Sequence, residues 1–321
     1  MKNSILLVMA LLFSDLSVQA QEKTNSSNQS EELGTVSWHR DYNSAITLSK
    51  EESKPVLILF QEVPGCMTCR NYGQNVLSNP LMVDAIEHLF IPLAIYNNKK
   101  GADATVLRQF SEPTWNNPVV RIIDEAGTNL VKRVSGNYSQ KGLYQAMEAA
   151  LIKSGKEVPE FMQLLKQDIG AVEVGTKEAT FKMYCFWSGE SHLGNADGVV
   201  ATEAGFMNGY EVVKVNYDPE VISETELETY AKEAQCSKVS SEGKFRKDKD
   251  PQYYLKHSDF KYLPLTAIQK TKINSALKNR EDGRVYLSPT QLKWLEDLGR
   301  YNPKKKSFYD EDFLVGWEKM G

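Results

Sequence analysis

The sequence predicts an α/β domain followed by an α+β domain. Its 321 residues match two domains of ordinary size, and its composition, 41% hydrophobic and 25% charged, is typical of a globular protein. In each half, a β-rich apolar stretch leads directly into a cysteine and then into a helical pattern, at residues 56–75 and again at residues 179–195. These two strand–cysteine–helix units predict two folded domains, each with a thiol at a strand-to-helix turn.

The first 33 residues are predicted to lie outside both domains. Lys2 precedes a short apolar run at residues 5–13, and small residues at 18–20 provide a cleavage site, as in a secretory signal peptide. The run is shorter than the ~20 residues that a membrane-spanning helix needs, and no later stretch is long enough. We therefore expect residues 1–20 to be a signal peptide and residues 21–33 a disordered tether. The mature protein should be exported, periplasmic or secreted, and not embedded in a membrane.

The charge balance argues against nucleic acid as a partner. The formal net charge is −4, which does not fit a general nucleic-acid binder. The lysine-rich stretches at residues 244–249 and 304–306 are interpreted as solvated surface.

The first predicted domain, residues 34–155, has the element order of thioredoxin. A strand at residues 56–61 is followed by Cys66-X-X-Cys69, a helix and a further strand. Helix N-terminal amides favour the thiolate of Cys66, and Cys69 lies one turn along, so Cys66 is the predicted attacking thiol and Cys69 the resolving one. Half of a zinc site is one alternative, although the four Cys and four His offer no second ligand pair with suitable spacing. A structural disulfide is the other, although so short a loop gains little stabilisation.

The surroundings of this dithiol resemble thioredoxin-like proteins of the Gly-Cys-X-X-Cys-Arg subclass. The resemblance includes the Leu-Ser-Asn-Pro turn at residues 77–80. It implies a thioredoxin-like fold and assigns the family's cis-proline to Pro118. A cis turn beside the disulfide would leave backbone groups free to pair with an extended substrate. An ordinary turn proline before a strand is the alternative.

The second predicted domain, residues 169–321, is centred on Cys185. This cysteine falls where the β-rich half of residues 179–190 gives way to Gly, Ser and Glu, which mark a helix start. Helix amides favour a thiolate at that position, and Phe186 and Trp187 would wall an apolar pocket beside it. A structural cysteine buried in an aromatic core is the alternative.

Four blocks of this domain resemble the motifs of A-type methionine sulfoxide reductases. They are, in order, Cys185-Phe-Trp with a Glu in the next helical turn, residues 197–206, residues 211–223 with a Tyr-Asp-Pro turn, and residues 248–253 with an Asp and a Tyr five apart. The resemblance implies a ferredoxin-like α+β fold after the thioredoxin-like one. It also implies reduction of the S epimer of methionine sulfoxide.

The resemblance further implies a role for each site residue. Cys185 attacks the sulfur, Glu211 protonates the departing oxygen, and Tyr253 hydrogen-bonds that oxygen while Asp248 positions the pocket. The two aromatic residues after Cys185 hold the methyl group. A proton donor must be protonated before it acts, which burial of Glu211 against those rings would favour. Taken singly, these residues have plainer alternatives: a surface Glu, a packing Trp and a surface Tyr.

The chain also departs from that family. Tyr184 precedes the nucleophile where the family has Gly, and Phe206 replaces a Tyr, which removes one hydroxyl from the pocket. Tyr210, in a shortened loop, is a candidate to restore that hydroxyl from a new direction. No cysteine follows Cys236, so Cys236 is the only resolving candidate within this domain, and a buried helix-end cysteine is its alternative.

These expectations combine into one predicted function. The chain is an exported, thiol-dependent reductase of methionine-S-sulfoxide, free or in oxidised proteins, and its fused dithiol recycles Cys185 at high effective concentration. It needs no cofactor and no metal beyond its redox cysteines, and a membrane thiol-disulfide relay is the expected electron donor. The alternative is a general thiol-disulfide oxidoreductase whose second domain only binds substrate.

Overall fold

The chain forms two sheets, each with its own helices and hydrophobic core. The computed structural model describes residues 23–25, 28–115, 117–240, 242–298 and 306–321. The predicted signal peptide lies outside these ranges. Within them, no helix combines the length and apolar character needed to cross a membrane.

The first sheet is mixed. Its strands are β1 (Val56–Gln61), β2 (Ile91–Tyr96), β3 (Val119–Ile123) and β4 (Val134–Ser135). They lie in the order β2-β1-β3-β4, with β1 parallel to β2 and antiparallel to β3, and with β3 antiparallel to β4. Every residue of β1 is buried, as expected of an apolar central strand that is covered on both faces. The predicted α/β thioredoxin-like fold is confirmed.

Six helices accompany this sheet in the described ranges: α1 (Tyr42–Glu52), α2 (Met67–Asn75), α3 (Pro80–Leu89), α4 (Ala102–Gln109), α5 (Gln140–Lys153) and α6 (Glu160–Val174). Several begin at a side-chain cap. Asp41 accepts the backbone N–H of Ser44 at the start of α1, and Asn79 caps α3, whose first residue is proline. Ser139 caps α5 in the same way. These caps are local signals, because each capping side chain lies within three residues of the backbone N–H that it accepts.

The structure corrects the predicted tether at residues 21–33. Residues 31–33 form a 3-10 helix in which Glu32 and Leu33 are buried. The indole of Trp38 donates to the carbonyl of Leu33 over 3.0 Å, and Thr24 donates its backbone N–H to the carbonyl of Trp38 over 2.9 Å. A single apolar side chain, Leu33, joins this polar segment to the first core.

The sequence predicts a helix at residues 160–168 that bridges the two domains, and the helix in the structure is longer. The sequence predicts a helix only to Asp168, whereas α6 continues to Val174 and ends at Gly175, which has φ +82°. Ile169, predicted to open the second domain, instead packs in the first core. The helix covers the apolar surface of α3 and α5, and this burial outweighs the weak local signal at residues 169–170.

The second sheet is antiparallel throughout. Its strands are β5 (Lys177–Lys182), β6 (Val199–Met207), β7 (Tyr210–Tyr217), β8 (Ser237–Val239) and β9 (Arg246–Lys247). They lie in the order β8-β5-β7-β6-β9. This antiparallel sheet, with helices packed against it, is the predicted α+β class.

The helices of the second half surround this sheet and form a further small core. They are α7 (Phe186–Asn195), α8 (Glu224–Glu233), α9 (Tyr253–Lys256), α10 (Ala267–Asn279), α11 (Pro289–Leu298) and α12 (Phe313–Met320). Helix α10 packs along α7, where the hydroxyl of Ser275 donates to the carbonyl of Ser191 over 2.7 Å. At the end of α7, Lys272 donates to the carbonyl of Ala196 over 2.8 Å. These contacts fix α7, the helix that begins after Cys185.

The C-terminal helices also hold the two halves together. Thr290, at the start of α11, donates its backbone N–H and its hydroxyl to the buried carboxylate of Asp84 on α3, over 3.0 and 2.7 Å. Phe313 and Trp317 of α12 pack against the first core. The halves are therefore joined by both a polar and an apolar contact.

Candidate functional site

The first thiol site lies where β1 ends and α2 begins. Cys66 is the N-cap of α2 and is exposed, whereas Cys69 is buried one turn further along. Their sulfur atoms are 3.7 Å apart, so the reduced pair is in van der Waals contact and close enough to form a disulfide after a small movement. This is the geometry of an exposed attacking thiol with a protected resolving thiol.

The two thiols have opposite acidities. The backbone N–H of Cys69 donates a hydrogen bond to the sulfur of Cys66. This bond lowers the pKa of the Cys66 thiol below its ordinary value. Burial raises the pKa of Cys69 to about 11. Since only the thiolate is nucleophilic, exposed Cys66 is expected to be the more reactive of the two thiols.

Pro118 lies beside this dithiol, as the sequence predicts. The pairing of Phe60 with Val119 puts Pro118 at the carboxyl end of β1, and the Asn117–Pro118 peptide bond is cis. Two large apolar side chains around the site are open to solvent, Met67 at 67% and Trp115 at 80% exposure. An extended partner chain would meet an apolar rim around Cys66.

Buried polar groups that sequence reasoning missed support this loop. Glu32 accepts the backbone N–H of Gly65 over 2.7 Å and lies 3.6 Å from Arg70. Gln61 donates its amide to the carbonyls of Glu32 and Cys69. The sequence pattern does not identify Glu32 as a site residue, because Glu32 belongs to the polar stretch that predicts a tether.

The second thiol site lies where β5 ends and α7 begins. Cys185 is the N-cap of α7 and is half-buried. The next residue, Phe186, donates its backbone N–H to Oε2 of Glu211 over 2.8 Å. Glu211 is half-buried near the start of β7, where its carbonyl accepts the backbone N–H of Met183. The predicted nucleophile and the predicted acid are thus gathered at one end of the sheet.

Aromatic rings line this end of the sheet. Phe186 meets Phe206 edge to face with 5.1 Å between ring centroids, and Trp187 stacks on Tyr253 at 4.3 Å. The indole N–H of Trp187 donates to Asp248 over 3.1 Å, which fixes the ring. The predicted aromatic residues and Asp248 therefore form one continuous wall.

Tyr210 is not part of that wall. It precedes Glu211 on β7, and successive side chains of a strand point to opposite faces. Its ring is 57% exposed and lies 5.1 Å from the ammonium of Lys182. The prediction that Tyr210 restores a pocket hydroxyl is therefore not supported by its position.

Cys236 lies at the same end of β5 as Cys185 but is buried from solvent. The pairing of Lys182 with Ser237 puts Cys236 alongside the end of β5. Its side chain is buried in the second core, and burial raises the pKa of its thiol to about 11. Without a rearrangement, Cys236 is a poor nucleophile.

Glu190 is a buried residue of this site that received no role from the sequence. It lies in α7, and its two carboxyl oxygens accept the backbone N–H groups of Ala204 and Gln252. Burial raises its pKa to about 8, against the effect of those two N–H groups. Gln252 directly precedes Tyr253, so Glu190 anchors the segment that presents the stacked ring. A carboxylate on the apolar face of a helix is the signal that could have identified it.

Comparisons with known proteins agree with both resemblances. A family model described as thioredoxin-like matches residues 37–125. The peptide methionine sulfoxide reductase MsrA of Methanococcus maripaludis is 38% identical over 16% of this chain and 44% of that relative. MsrA 1 of a Nostoc species is 33% identical over 18% of this chain and 47% of that relative.

A third relative provides a similar match, and one solved structure was compared with part of the chain. The peptide methionine sulfoxide reductase of Drosophila melanogaster is 39% identical over 17% of this chain and 28% of that relative. This chain thus spans less than half the length of each of these relatives. The solved structure of a DsbH oxidoreductase covers 39% of this chain and 91% of its own, with 16% identity and a TM-score of 0.32.

Proposed function

We propose that this chain, which joins a thioredoxin-like region to a region similar to A-type methionine sulfoxide reductases, reduces methionine-S-sulfoxide. The observation that carries the proposal is the grouping of Cys185 with Glu211, whose carboxylate lies 2.8 Å from the backbone nitrogen of Phe186. A nucleophile at a helix start and a carboxyl group beside it are what sulfoxide reduction requires, because oxygen leaves sulfur only after it receives a proton.

In the first step the thiolate of Cys185 attacks the substrate sulfur. Glu211 gives its proton to the sulfoxide oxygen, the sulfur–oxygen bond of the substrate breaks, and the oxygen passes to the cysteine sulfur. The products are methionine and the sulfenic acid of Cys185, so the substrate gains the two electrons that the cysteine loses. Glu211 regains a proton from solvent before the next turnover.

The aromatic wall supports selection of the methyl sulfoxide. The rings of Phe186 and Trp187, whose centroids are 5.6 Å apart, offer an apolar surface for a methyl group. Tyr253 stacks on Trp187, and its hydroxyl is the remaining donor for the sulfoxide oxygen because Phe206 has none. The substrate is free or protein-bound methionine sulfoxide.

Recycling of Cys185 uses the dithiol. A thiol attacks the sulfenic sulfur and water leaves, which gives a disulfide between Cys185 and Cys66, or first between Cys185 and Cys236. Cys69 then attacks Cys66, and Cys185 departs as a thiolate. The Cys66–Cys69 disulfide that remains must be reduced from outside. An exported location and a membrane thiol-disulfide relay as the donor complete the proposal, supported by the apolar run at residues 5–13.

The test is turnover of the separated S and R epimers of a methionine sulfoxide peptide by reduced protein. We expect reduction of the S epimer only, no turnover by Cys185→Ser, and a loss on the order of 10²-fold in kcat for Glu211→Gln. Glu203→Gln, which removes a partly exposed carboxylate of the neighbouring strand that pairs with Lys247, is the matched control and should change little. Equal activity of Glu211→Gln and the parent would remove Glu211 from the mechanism.

A second candidate function is general thiol-disulfide exchange with a second domain that only binds substrate. The exposed, acidic thiol of Cys66 and the loss of a hydroxyl at Phe206 favour it. It predicts insulin disulfide reduction that survives Cys185→Ser, with no turnover of either sulfoxide epimer.

A further inference from the structure

An arginine lies on the same face of the second sheet as Glu211. Arg246 of β9 pairs with Phe206 of β6, and Phe206 pairs with Glu211 of β7, so these three side chains form a row across neighbouring strands. Two strand spacings of ~4.8 Å put the backbone of Arg246 about 10 Å from that of Glu211. The row therefore has the predicted acid at one end and a guanidinium group at the other.

The ring of Phe206 orients this guanidinium group. The central carbon of the Arg246 guanidinium is 4.4 Å from the centroid of the Phe206 ring. That ring in turn meets Phe186, the residue after Cys185, with 5.1 Å between centroids. A guanidinium stacked on an aromatic face keeps the N–H groups of its edge free for a carboxylate. The stacking therefore restricts a long side chain before any substrate arrives.

The N–H groups of Arg246 have no protein partner. Among the residues that the structure describes, no carboxylate pairs with this guanidinium and no carbonyl accepts from it. Asp248, two residues further along, accepts the indole N–H of Trp187 instead. The neighbouring cation, Lys247, is paired with Glu203 over 2.8 Å. Because Arg246 is exposed, its positive charge is available to a substrate at this site.

We propose that Arg246 binds a carboxylate of the substrate and makes this site selective for anionic methionine sulfoxides. Four single bonds, spanning about 5 Å, join the sulfur of methionine sulfoxide to its α-carboxylate carbon, and a charge-assisted hydrogen bond adds about 2.8 Å. Together they cover most of the distance of about 10 Å along the row from Glu211. An acidic residue next to methionine sulfoxide in a peptide is the other source of the same charge.

The charges at the site favour this assignment. Glu211 and Asp248 both bear carboxyl groups here, and a substrate carboxylate placed among them without a cation would be repelled. Arg246 supplies the opposite charge at the edge of the sheet. Lys182, the cation of the neighbouring strand β5, does not fit this role, because its ammonium lies 5.1 Å from the ring of Tyr210 on the opposite face.

The inference rests on the proposed reduction of methionine sulfoxide by this site. It is tested with the S epimers of N-acetylmethionine sulfoxide, which bears a carboxylate, and of its amide, which has none. We expect the parent to reduce the acid with a kcat/KM about 3- to 10-fold above that of the amide, and this ratio to decrease at high salt. In Arg246→Gln the ratio should fall to about one through a higher KM for the acid, and Arg246→Lys should keep part of it.

Lys247→Gln is the matched control. Lys247 is the next residue of β9, so its side chain points to the opposite face, where it pairs with Glu203, and the ratio should remain that of the parent. Peptides in which Asp or Asn follows an internal methionine sulfoxide distinguish a peptide carboxylate from the α-carboxylate.

A preference for the carboxylate in either pair of substrates that Arg246→Gln removes would support the inference. No preference in both pairs, or a preference that persists in Arg246→Gln, would overturn the inference while the reductase activity stands. A parent chain that reduces neither the acid nor the amide nor the peptides would overturn the proposed function and this inference with it.

Discussion

Glu190 shows how one buried carboxyl connects three segments of the second site. It is fully buried in α7, and it accepts from the backbone N–H of Ala204 on β6 over 3.0 Å and from that of Gln252 over 2.6 Å. Gln252 has φ +50°, a conformation that non-glycine residues adopt only when their surroundings hold them. The carboxyl therefore stabilises the turn that presents Tyr253 to Trp187.

The raised pKa of Glu190 has a consequence for stability. Burial sets its pKa at about 8 in the folded chain, against an ordinary value of 4.5. Between these two pH values the folded state holds a proton that the unfolded state has lost, so this group's contribution to stability falls as pH rises from about 4.5 to about 8. Glutamine cannot titrate, so Glu190→Gln should lose this dependence.

We therefore expect the free energy of unfolding of the parent, from urea titration, to fall more steeply between pH 5 and pH 8 than that of Glu190→Gln, by an amount on the order of a few kcal/mol at most. At pH 5 the variant should be less stable by about 1–3 kcal/mol, because its amide NH₂ faces a backbone donor. Far-UV circular dichroism follows both transitions. Burial raises the pKa of Asp168 to about 6, and a hydrogen bond with Asp84 raises the pKa of His88, but both groups are common to the two proteins. Parallel pH profiles would contradict the assignment.

Strand β7 makes a prediction at the scale of an element. Glu211 and its cross-strand partner Phe206 share one face, and Tyr210 points to the other, beside Lys182. Tyr210→Phe should therefore leave kcat/KM for the S epimer within about twofold. Tyr253→Phe removes the hydroxyl on the aromatic wall and should lower kcat/KM about 10- to 100-fold, the value of one hydrogen bond to a polarised oxygen.

Tyr210→Phe and Tyr253→Phe serve as controls for each other, since each removes one hydroxyl. Circular dichroism should show that both remain folded. A larger loss for Tyr210→Phe than for Tyr253→Phe would mean that the substrate oxygen lies on the other face of the sheet.

Elements with local signals were predictable from the sequence. Ser223 is followed by Glu226 and begins α8 with a complete capping box, and Asp41 caps α1. Both cysteine sites follow from the same principle, because a strand followed by a helix start puts Cys66 and Cys185 at N-caps. In these places the residues that decide the structure are neighbours in sequence.

Features that depend on distant contacts were not predictable. The burial of Leu33 depends on Trp38 and the first core. The face to which Tyr210 points depends on the strand register, and a shift of one residue in that register would put its side chain on the other face. Glu62 carries no motif of its own, and yet the fold of the loop around Gly65 puts its carboxylate within 4.8 Å of the sulfur atoms of Cys66 and Cys69. Such contacts are set by tertiary packing, which composition and spacing do not encode.

At the scale of the whole molecule, helices α2 and α7, which begin at Cys66 and Cys185, do not pack on each other. Gly170 on α6 lies beside Asp218, which directly follows β7, whereas Glu211 is near the opposite end of that strand, about 20–25 Å away. Tyr184 is 99% exposed beside Cys185, and Trp115 is 80% exposed near Cys66. Within the part of the chain that the structure describes, the one sulfur–sulfur contact is between Cys66 and Cys69, so neither of these two thiols reaches Cys185 in this arrangement.

The joint between the halves resists a movement that would bring the sites together. Asp84 is buried and accepts two hydrogen bonds from Thr290, and separating the halves would break both at a cost of about 1–3 kcal/mol, leaving the carboxylate with His88 of its own helix. Phe313 and Trp317 would lose their packing as well. Electron transfer between two copies of the chain, through exposed Cys66 of one and half-buried Cys185 of the other, avoids this cost.

We therefore expect recycling to occur between molecules. Reduced chains freed of reductant are supplied with sulfoxide, and methionine formed per chain is counted. Cys66→Ser alone should form one methionine and stop at the sulfenic acid or a dead-end disulfide, whereas the parent should form a second by oxidising its dithiol.

Adding reduced Cys185→Ser, which keeps the dithiol but lacks the attacking thiol of the second site, should restore the second methionine to Cys66→Ser at a rate proportional to the concentration of Cys185→Ser. A parent rate for the second methionine that is independent of protein concentration, with no restoration in the mixture, would show instead that the halves separate and that each chain recycles its own Cys185.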